Sequence, residues 1–231
     1  MSVKIVTGNI FTTECQVLVN AINCVGVMGA GIALECRLRY PEMHEKYIQL
    51  CDKHKIDIGL LWLYKCPERW ILNFPTKKHW KYPSKKEYLH AGLQKLCDSY
   101  QARGIKSIAF PLLGADKGGI PTEESMSIMQ SYLRNIDIPV EIYKYDPKAK
   151  DDLYDKTKGW LLNQDLTEIS ETMKLRKDYV EKVILGMKRT DINQLNQLAR
   201  VRGIGIKTLE KIFTFASNDN KVIKQQTLFN G

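Results

Sequence analysis

The chain lacks any apolar run approaching the ~20 residues that a membrane-spanning helix needs, and nothing in it argues for membrane insertion. It also lacks a C-x-x-C pair: its six cysteines stand apart at positions 15, 24, 36, 51, 66 and 97. That spacing suggests neither a zinc site nor a disulfide framework; no metal or cofactor is expected, and free thiols fit a reducing cytoplasm, the expected location. The first residues, Met1-Ser2-Val3-Lys4, do not have the order of a signal peptide and read as the start of a strand. The dinucleotide fingerprint G-x-G-x-x-G is missing, as are internal repeats and low-complexity tracts. Acidic side chains are the minority, 26 against 35 basic, for a net charge of +9. The excess is +6 over residues 1–150 and +3 over residues 151–231, so it is not a tail effect. A basic surface favours contact with polyanions and leaves their identity open.

What is present, in 231 residues, is room for one ordinary domain and a smaller one. Strand and helix signals alternate over the first 145 residues, which predicts α/β layers. Strands are expected at 3–7, 16–22, 60–65, 70–74, 107–112 and 140–145. Helices are expected at 30–39 and at 41–53, where Pro41 takes the first position. Ser84, with Glu87 three residues on, reads as a capping box for a helix to about Arg103, and Thr122 as the cap of another to about Asn135. The domain division expected is 1–146, a linker at 147–165, a helical domain at 166–218 and a flexible tail at 219–231. The helical signals run over about 166–186, 191–200 and 207–216.

The candidate chemistry starts where the second strand ends. Asn20-Ala21-Ile22-Asn23 closes an apolar run, and Cys24-Val25-Gly26-Val27-Met28-Gly29-Ala30-Gly31-Ile32 follows before a helix. Glycines let backbone N–H groups approach a ligand closely, and a helix N-terminus behind them favours an anion, usually a diphosphate. Asn73-Phe74-Pro75-Thr76-Lys77-Lys78-His79-Trp80-Lys81 is a second distinctive segment, and Leu113-Gly114-Ala115-Asp116-Lys117-Gly118-Gly119 is a second glycine loop after a buried strand.

Together these segments resemble macrodomains, the modules that bind ADP-ribose, and within them the branch of DNA ADP-ribosyl glycohydrolase antitoxins, near the terminal ADP-ribose protein glycohydrolases. The resemblance implies a three-layer α/β/α fold with a mixed central sheet over residues 1–146, plus the small all-helical C-terminal domain. It implies an enzyme that removes ADP-ribose from DNA bases and antagonises a DNA ADP-ribosyltransferase toxin, its expected partner. The alternatives kept are a hydrolase of protein-linked or small-molecule ADP-ribose, and a non-catalytic ADP-ribose reader tethered to DNA.

Residue by residue, the resemblance places Gly8, Asn9 and Ile10 at the adenine. Macrodomains usually carry an Asp where Asn9 stands; the Asn9 amide oxygen can still accept from the adenine amino group. Tyr145 matches the ring that stacks on adenine, with Tyr143 on the same strand face. Asn20, Ala21 and Asn23 fall at the distal ribose; Met28, Gly29, Ala30, Gly31 and Ile32 cradle the diphosphate. Leu113, Gly114, Ala115, Asp116, Lys117, Gly118 and Gly119 clamp it from the other side. Ala115-Asp116-Lys117 departs from the branch's usual Cys-Gly-Leu, and Gly118 stands where protein-directed relatives carry a catalytic Asp. Lys77, after Thr76, matches the branch's catalytic lysine, with Asn23 beside it. An amine there can add to an opened sugar aldehyde or act as a cation in the transition state; by residue type alone it is equally a solvated surface charge. Lys78, His79, Trp80, Lys81 and Lys85 form a basic, partly aromatic run suited to nucleic acid.

In the C-terminal part, Gly203-Ile204-Gly205 followed by Lys207 resembles a helix-hairpin-helix, which holds a DNA phosphate on backbone N–H groups. Gln225-Gln226-Thr227-Leu228-Phe229 fits the pattern by which bacterial repair proteins dock on the sliding clamp.

Overall fold

The computed structural model describes the backbone of residues 3–229 and side chains through residue 218. It divides into two compact units, residues 1–146 and 147–231. The expected tail at 219–231, with the clamp-docking pattern Gln225–Phe229, lies outside the residues whose side chains are described.

The first unit is built on a six-stranded sheet in the order β1-β6-β5-β2-β4-β3. The strands are β1 (Val3–Gly8), β2 (Val17–Asn23), β3 (Trp62–Lys65), β4 (Trp70–Lys77), β5 (Ile108–Pro111) and β6 (Val140–Tyr145). All neighbours pair in parallel except β3, which runs antiparallel to β4 at the edge. The pattern follows from alternation along each strand. Val17, Val19, Leu72, Phe74 and Phe110 point to one face, where Leu89, Leu93 and Leu96 of α3 (Lys86–Cys97) and Met129 and Leu133 of α4 (Thr122–Leu133) cover them. Leu18, Ile22, Ile71 and Ala109 point to the other, under Cys36 of α1 (Gly31–Arg39) and Met43, Tyr47 and Cys51 of α2 (Pro41–Asp52). Three layers result.

The helix starts differ from the capping pattern read in the sequence. Ser84 does not cap α3: Lys85 holds the cap position without a side-chain bond, and the Ser84 hydroxyl is turned into the protein. The helix ends at Cys97, short of Arg103.

The second unit contains α5 (Tyr154–Asn163), α6 (Leu166–Met173), α7 (Lys177–Met187), a 3-10 turn (Leu195–Arg200) and α8 (Ile206–Phe229). The expected linker at 147–165 is therefore structure. Gln197 Nε2 donates to the Pro147 carbonyl at 2.7 Å and Gln194 Nε2 to the Ala149 carbonyl at 3.0 Å. The buried Asp151 carboxylate accepts from the N–H groups of Leu153 and Leu195. Polar residues that look like a solvated spacer are there to satisfy buried backbone. The single helix expected over 166–186 is broken at Lys174, which adopts φ +52°. Leu175 N–H then closes back on the Ser170 carbonyl, a left-handed helix ending. The helix expected at 191–200 is only the 3-10 turn, capped reciprocally by Gln194 and Gln197. Among the described residues no helix is long and apolar enough to cross a membrane.

Candidate functional site

Because β1, β6, β5, β2 and β4 are parallel, their carboxyl ends share one edge of the sheet, the usual place for a ligand in open α/β folds. That edge brings together Gly8 and Tyr145, paired in register, Asn23 and Lys77, also paired, and the loop after Pro111.

The first glycine loop is organised by Asn23. Its Oδ1 accepts from the N–H groups of Val25 at 3.0 Å and Val27 at 3.3 Å, and its Nδ2 donates to the Val27 carbonyl. Tyr47 on α2, fully buried, donates its hydroxyl to the Asn23 carbonyl at 2.7 Å and lies 3.1 Å from Oδ1. Gly26 and Gly31 take φ of +77° and +56°, values that favour glycine. Ala30 then starts α1 without any side-chain cap, so the first N–H groups of that helix, at Gly31, Ile32 and Ala33, have no intrahelical acceptor. Gly29, Ala30 and Gly31 are exposed there. The Asn23 side chain thus shapes the loop and is not turned to a sugar. Asn20 is farther still from that role: it is 0% exposed and donates to Asn73 Oδ1 at 2.9 Å, its own oxygen being buried without a partner among the described residues. Alternation sends it to the α1–α2 face. Met28, expected in the cradle, fills the core beneath it.

The second loop is equally ordered. Gly114 has φ +67°, and a Cβ there would sit 2.8 Å from Ile120 Cδ1. A Cβ on Gly118 would sit 2.7 Å from Ser84 Oγ, and the Ser84 N–H donates to the Gly118 carbonyl at 2.8 Å. Leu113 is buried and its carbonyl accepts from Ser125; it anchors the loop from inside. Asp116 and Lys117 stand out at the tip, 80% and 71% exposed, with Asp116 Oδ1 3.9 Å from Lys117 Nζ. Asp116 takes φ +35°, a strained setting for a side-chain-bearing residue and one found at functional loops.

Lys77 joins the two halves. It ends β4 opposite Asn23, and its Nζ donates across to the Lys117 carbonyl at 2.5 Å. Thr76 is buried, 3.4 Å from the Ile22 carbonyl to which its hydroxyl donates, and serves the β2–β4 seam. Lys78 turns the other way and pairs with Asp57 at 2.6 Å. That bond holds the Asp57 carboxyl below the usual range and the Lys78 amine above its own. Cys24 Sγ lies 3.9 Å from Asp57. Burial, aided by the Asp57 charge, pushes its thiol up to about 12, so it is not a nucleophile near neutral pH. Asp57 and Tyr47 escaped the sequence reading: neither sits in a motif, and only the fold brings them to Lys78 and Asn23.

At the other end of the edge, Asn9 caps the turn Ile10–Thr12. Its Oδ1 accepts from Phe11 N–H at 3.0 Å, so the oxygen expected to meet an adenine amino group already has a donor, while its Nδ2 is buried without a partner among the described residues. Gly8 and Ile10 are buried beside it. Of the two tyrosines, Tyr143 is buried and donates to Glu141 at 3.0 Å, whereas Tyr145 is 55% exposed. Ala21 is half-buried against the α3–α4 face and Ala115 is buried. His79, Trp80, Lys81 and Lys85 follow Lys77 on the same rim, all but half-buried His79 exposed. In the second unit Gly203 has φ +87°, its Cβ position lies 3.5 Å from Lys182 Nζ, and Gly205 precedes α8, whose first turn includes exposed Lys207.

A mixed sheet with two glycine-rich loops and a helix N-terminus at its carboxyl edge defines an α/β protein of the open-sheet kind, with the loop geometry from which anion sites are made. The Macro domain family model matches residues 19–129, and with a solved macrodomain at 36% identity covered over 98% of its length, the chain belongs to the macrodomain family. It is 38% identical over 148 residues to a DNA ADP-ribosyl glycohydrolase of Thermus aquaticus, covering 62% of this chain and 41% of that protein. The solved macrodomain of Thermus aquaticus DarG superposes with a TM-score of 0.59 at 36% identity, over 62% of this chain and 98% of that one. A DNA ADP-ribosyl transferase–DNA ADP-ribosyl glycohydrolase fusion protein of Thermosipho africanus is 32% identical over 161 residues, 62% of this chain and 42% of that protein. The structure of Thermosipho africanus DarTG in complex with ADP-ribose matches with a TM-score of 0.58 over 62% of this chain and 42% of that one. The chain spans about two fifths of the length of these curated relatives.

Proposed function

We propose that residues 1–146 bind ADP-ribose at the carboxyl edge of the sheet and hydrolyse its bond to a DNA base, reversing the mark of a cognate ADP-ribosyltransferase. The observation that carries this reading is the Lys77 amine, placed beside Asn23 and bonded to the second glycine loop. The names of the Thermus aquaticus and Thermosipho africanus relatives support the substrate class. In this reading the backbone of Gly29, Ala30, Gly31 and Ile32 and of Gly114 to Gly119 grips the diphosphate. Tyr145 stacks on the adenine, and Asn9 acts indirectly, by capping the turn Ile10–Thr12 beside it. Asn23 acts indirectly, by fixing the first loop.

The C–N bond between the ribose and the base breaks; water supplies hydroxyl to the sugar carbon and a proton to the base nitrogen. Lys77 serves either as a cation against charge developing at the sugar or, deprotonated, as a nucleophile that adds to the sugar carbon bonded to the base in the ring-opened form and displaces the base nitrogen, which takes a proton. The nucleophilic route leaves a lysine–sugar imine that water hydrolyses to free sugar and amine. The Lys77→Ala variant is expected to lose at least a hundredfold in turnover of an ADP-ribosylated oligonucleotide while keeping ADP-ribose affinity within a few-fold. Full turnover in that variant removes the mechanism, and binding without turnover in the parent chain leaves a reader module. Borohydride trapping of a protein–sugar adduct marks the nucleophilic route.

A second reading, hydrolysis of ADP-ribose from protein carboxylates, draws on Asp116, a carboxylate held at the tip of the second loop. Side-by-side turnover of modified oligonucleotide and modified protein separates the two. In the second unit, the backbone at Gly203-Ile204-Gly205 with Lys207 and Lys182 is suited to one DNA phosphate.

A further inference from the structure

The segment after Lys77 is clamped to both glycine loops. The Lys78 carbonyl accepts from Cys24 N–H of the first loop at 3.3 Å, and Ser84 N–H donates to Gly118 of the second at 2.8 Å. Between these clamps the chain makes a tight turn: Tyr82 N–H donates to the His79 carbonyl and Lys81 N–H to His79 Nδ1, each at 3.2 Å. The turn puts three rings together. The His79 and Trp80 ring centroids are 5.7 Å apart with the planes inclined at 27°, and those of His79 and Tyr82 are 5.5 Å apart. Trp80 is 49% and Tyr82 65% exposed. Phe74, on β4 before this turn, is fully buried, whereas Trp80 and Tyr82 in the turn are not. Lys81 Nζ lies 5.3 Å from the Trp80 ring, and Lys85 is exposed just beyond.

Exposed, preordered rings flanked by cations match a strand of bases joined by phosphates: faces stack, and amines meet the backbone charge. An acidic peptide would use the lysines and leave the ring faces unexplained. Trp80 lies three positions beyond Lys77, within about 10 Å even by the reach of a fully extended chain. Stacked nucleotides advance about 3.4 Å each along a strand. The ridge therefore falls within one to three nucleotides of the base that Lys77 would serve.

We infer that His79, Trp80 and Tyr82 form a subsite for the nucleotide next to the modified one, so that the recognised unit is longer than a single nucleoside. This inference rests on the proposed function above. It is tested with the full chain by displacement of bound ADP-ribose, using an ADP-ribosylated nucleoside and a trinucleotide carrying the same modified base at its centre. The trinucleotide is expected to bind about tenfold more tightly than the nucleoside. The double substitution Trp80→Ala and Tyr82→Ala, which leaves every lysine in place, abolishes that gain, and Tyr82→Phe alone preserves it. Both side chains are exposed, and an unchanged melting temperature confirms folding. Equal affinities in the parent chain, or a gain that survives the double substitution, overturns the subsite alone. If neither modified compound displaces ADP-ribose, the proposed function fails, and the subsite with it.

Discussion

At the residue scale, the two amides that look alike in sequence have unlike work. Asn20 is part of the core and Asn23 shapes a loop, because alternation along β2 and the break in register after Ile22 set them in different surroundings. Sequence pattern found both residues but could not tell them apart; Tyr47, which holds Asn23, carries no signal beyond an apolar helix face. The Tyr47→Phe variant is expected to lower stability by about 1 kcal/mol and loosen the first loop, read as a lower melting temperature and weaker ADP-ribose binding. Cys24 gives a pH test. Its thiol is pushed from the ordinary range up to about 12, so the folded chain keeps it protonated where the unfolded chain ionises it. Cys24 should therefore react with iodoacetamide at pH 8 far more slowly than the same cysteine in the denatured chain. Its contribution to stability falls as pH rises from about 9 to about 12. Equal labelling rates in the folded and denatured chains would contradict this.

At the element scale, strand positions were legible because β2, β4 and β5 are apolar on both faces and parallel strands must be covered twice. Helix starts were less legible. Ser84 with Glu87 has the spacing of a capping box, yet the Ser84 backbone N–H is tied to the Gly118 carbonyl and its hydroxyl is packed against Gly118, which leaves Lys85 at the cap position. The contact of α3 with β4 is close: a Cβ at Gly92 would lie 2.2 Å from the Phe74 ring. Neither partner can move, since Phe74 is fully buried. The Gly92→Ala variant should be destabilised by about 1–3 kcal/mol despite its better helix propensity, measurable by denaturant unfolding. A neutral or stabilising effect would contradict that packing.

At the scale of the whole molecule, composition and periodicity pointed to two parts but misplaced the material between them. Residues 147–151 have a linker's composition, and the glutamines that claim their carbonyls lie more than forty residues downstream, where no local rule can find them. The distinction is measurable. Lys148 and Lys150 are exposed, so trypsin would cut a true spacer there at once. With the neighbouring carbonyls bonded inside the helical unit, cleavage must wait for local unfolding and should be much slower than in the denatured chain. Gln194→Ala and Gln197→Ala together are expected to restore rapid nicking.

Backbone bonding reaches that junction from both sides. Asp146 N–H is bonded to Gly8 in the first unit, and the very next carbonyl, Pro147, belongs to the second. Each unit therefore holds its own backbone up to that boundary, and a protease finds no slack stretch there to seize.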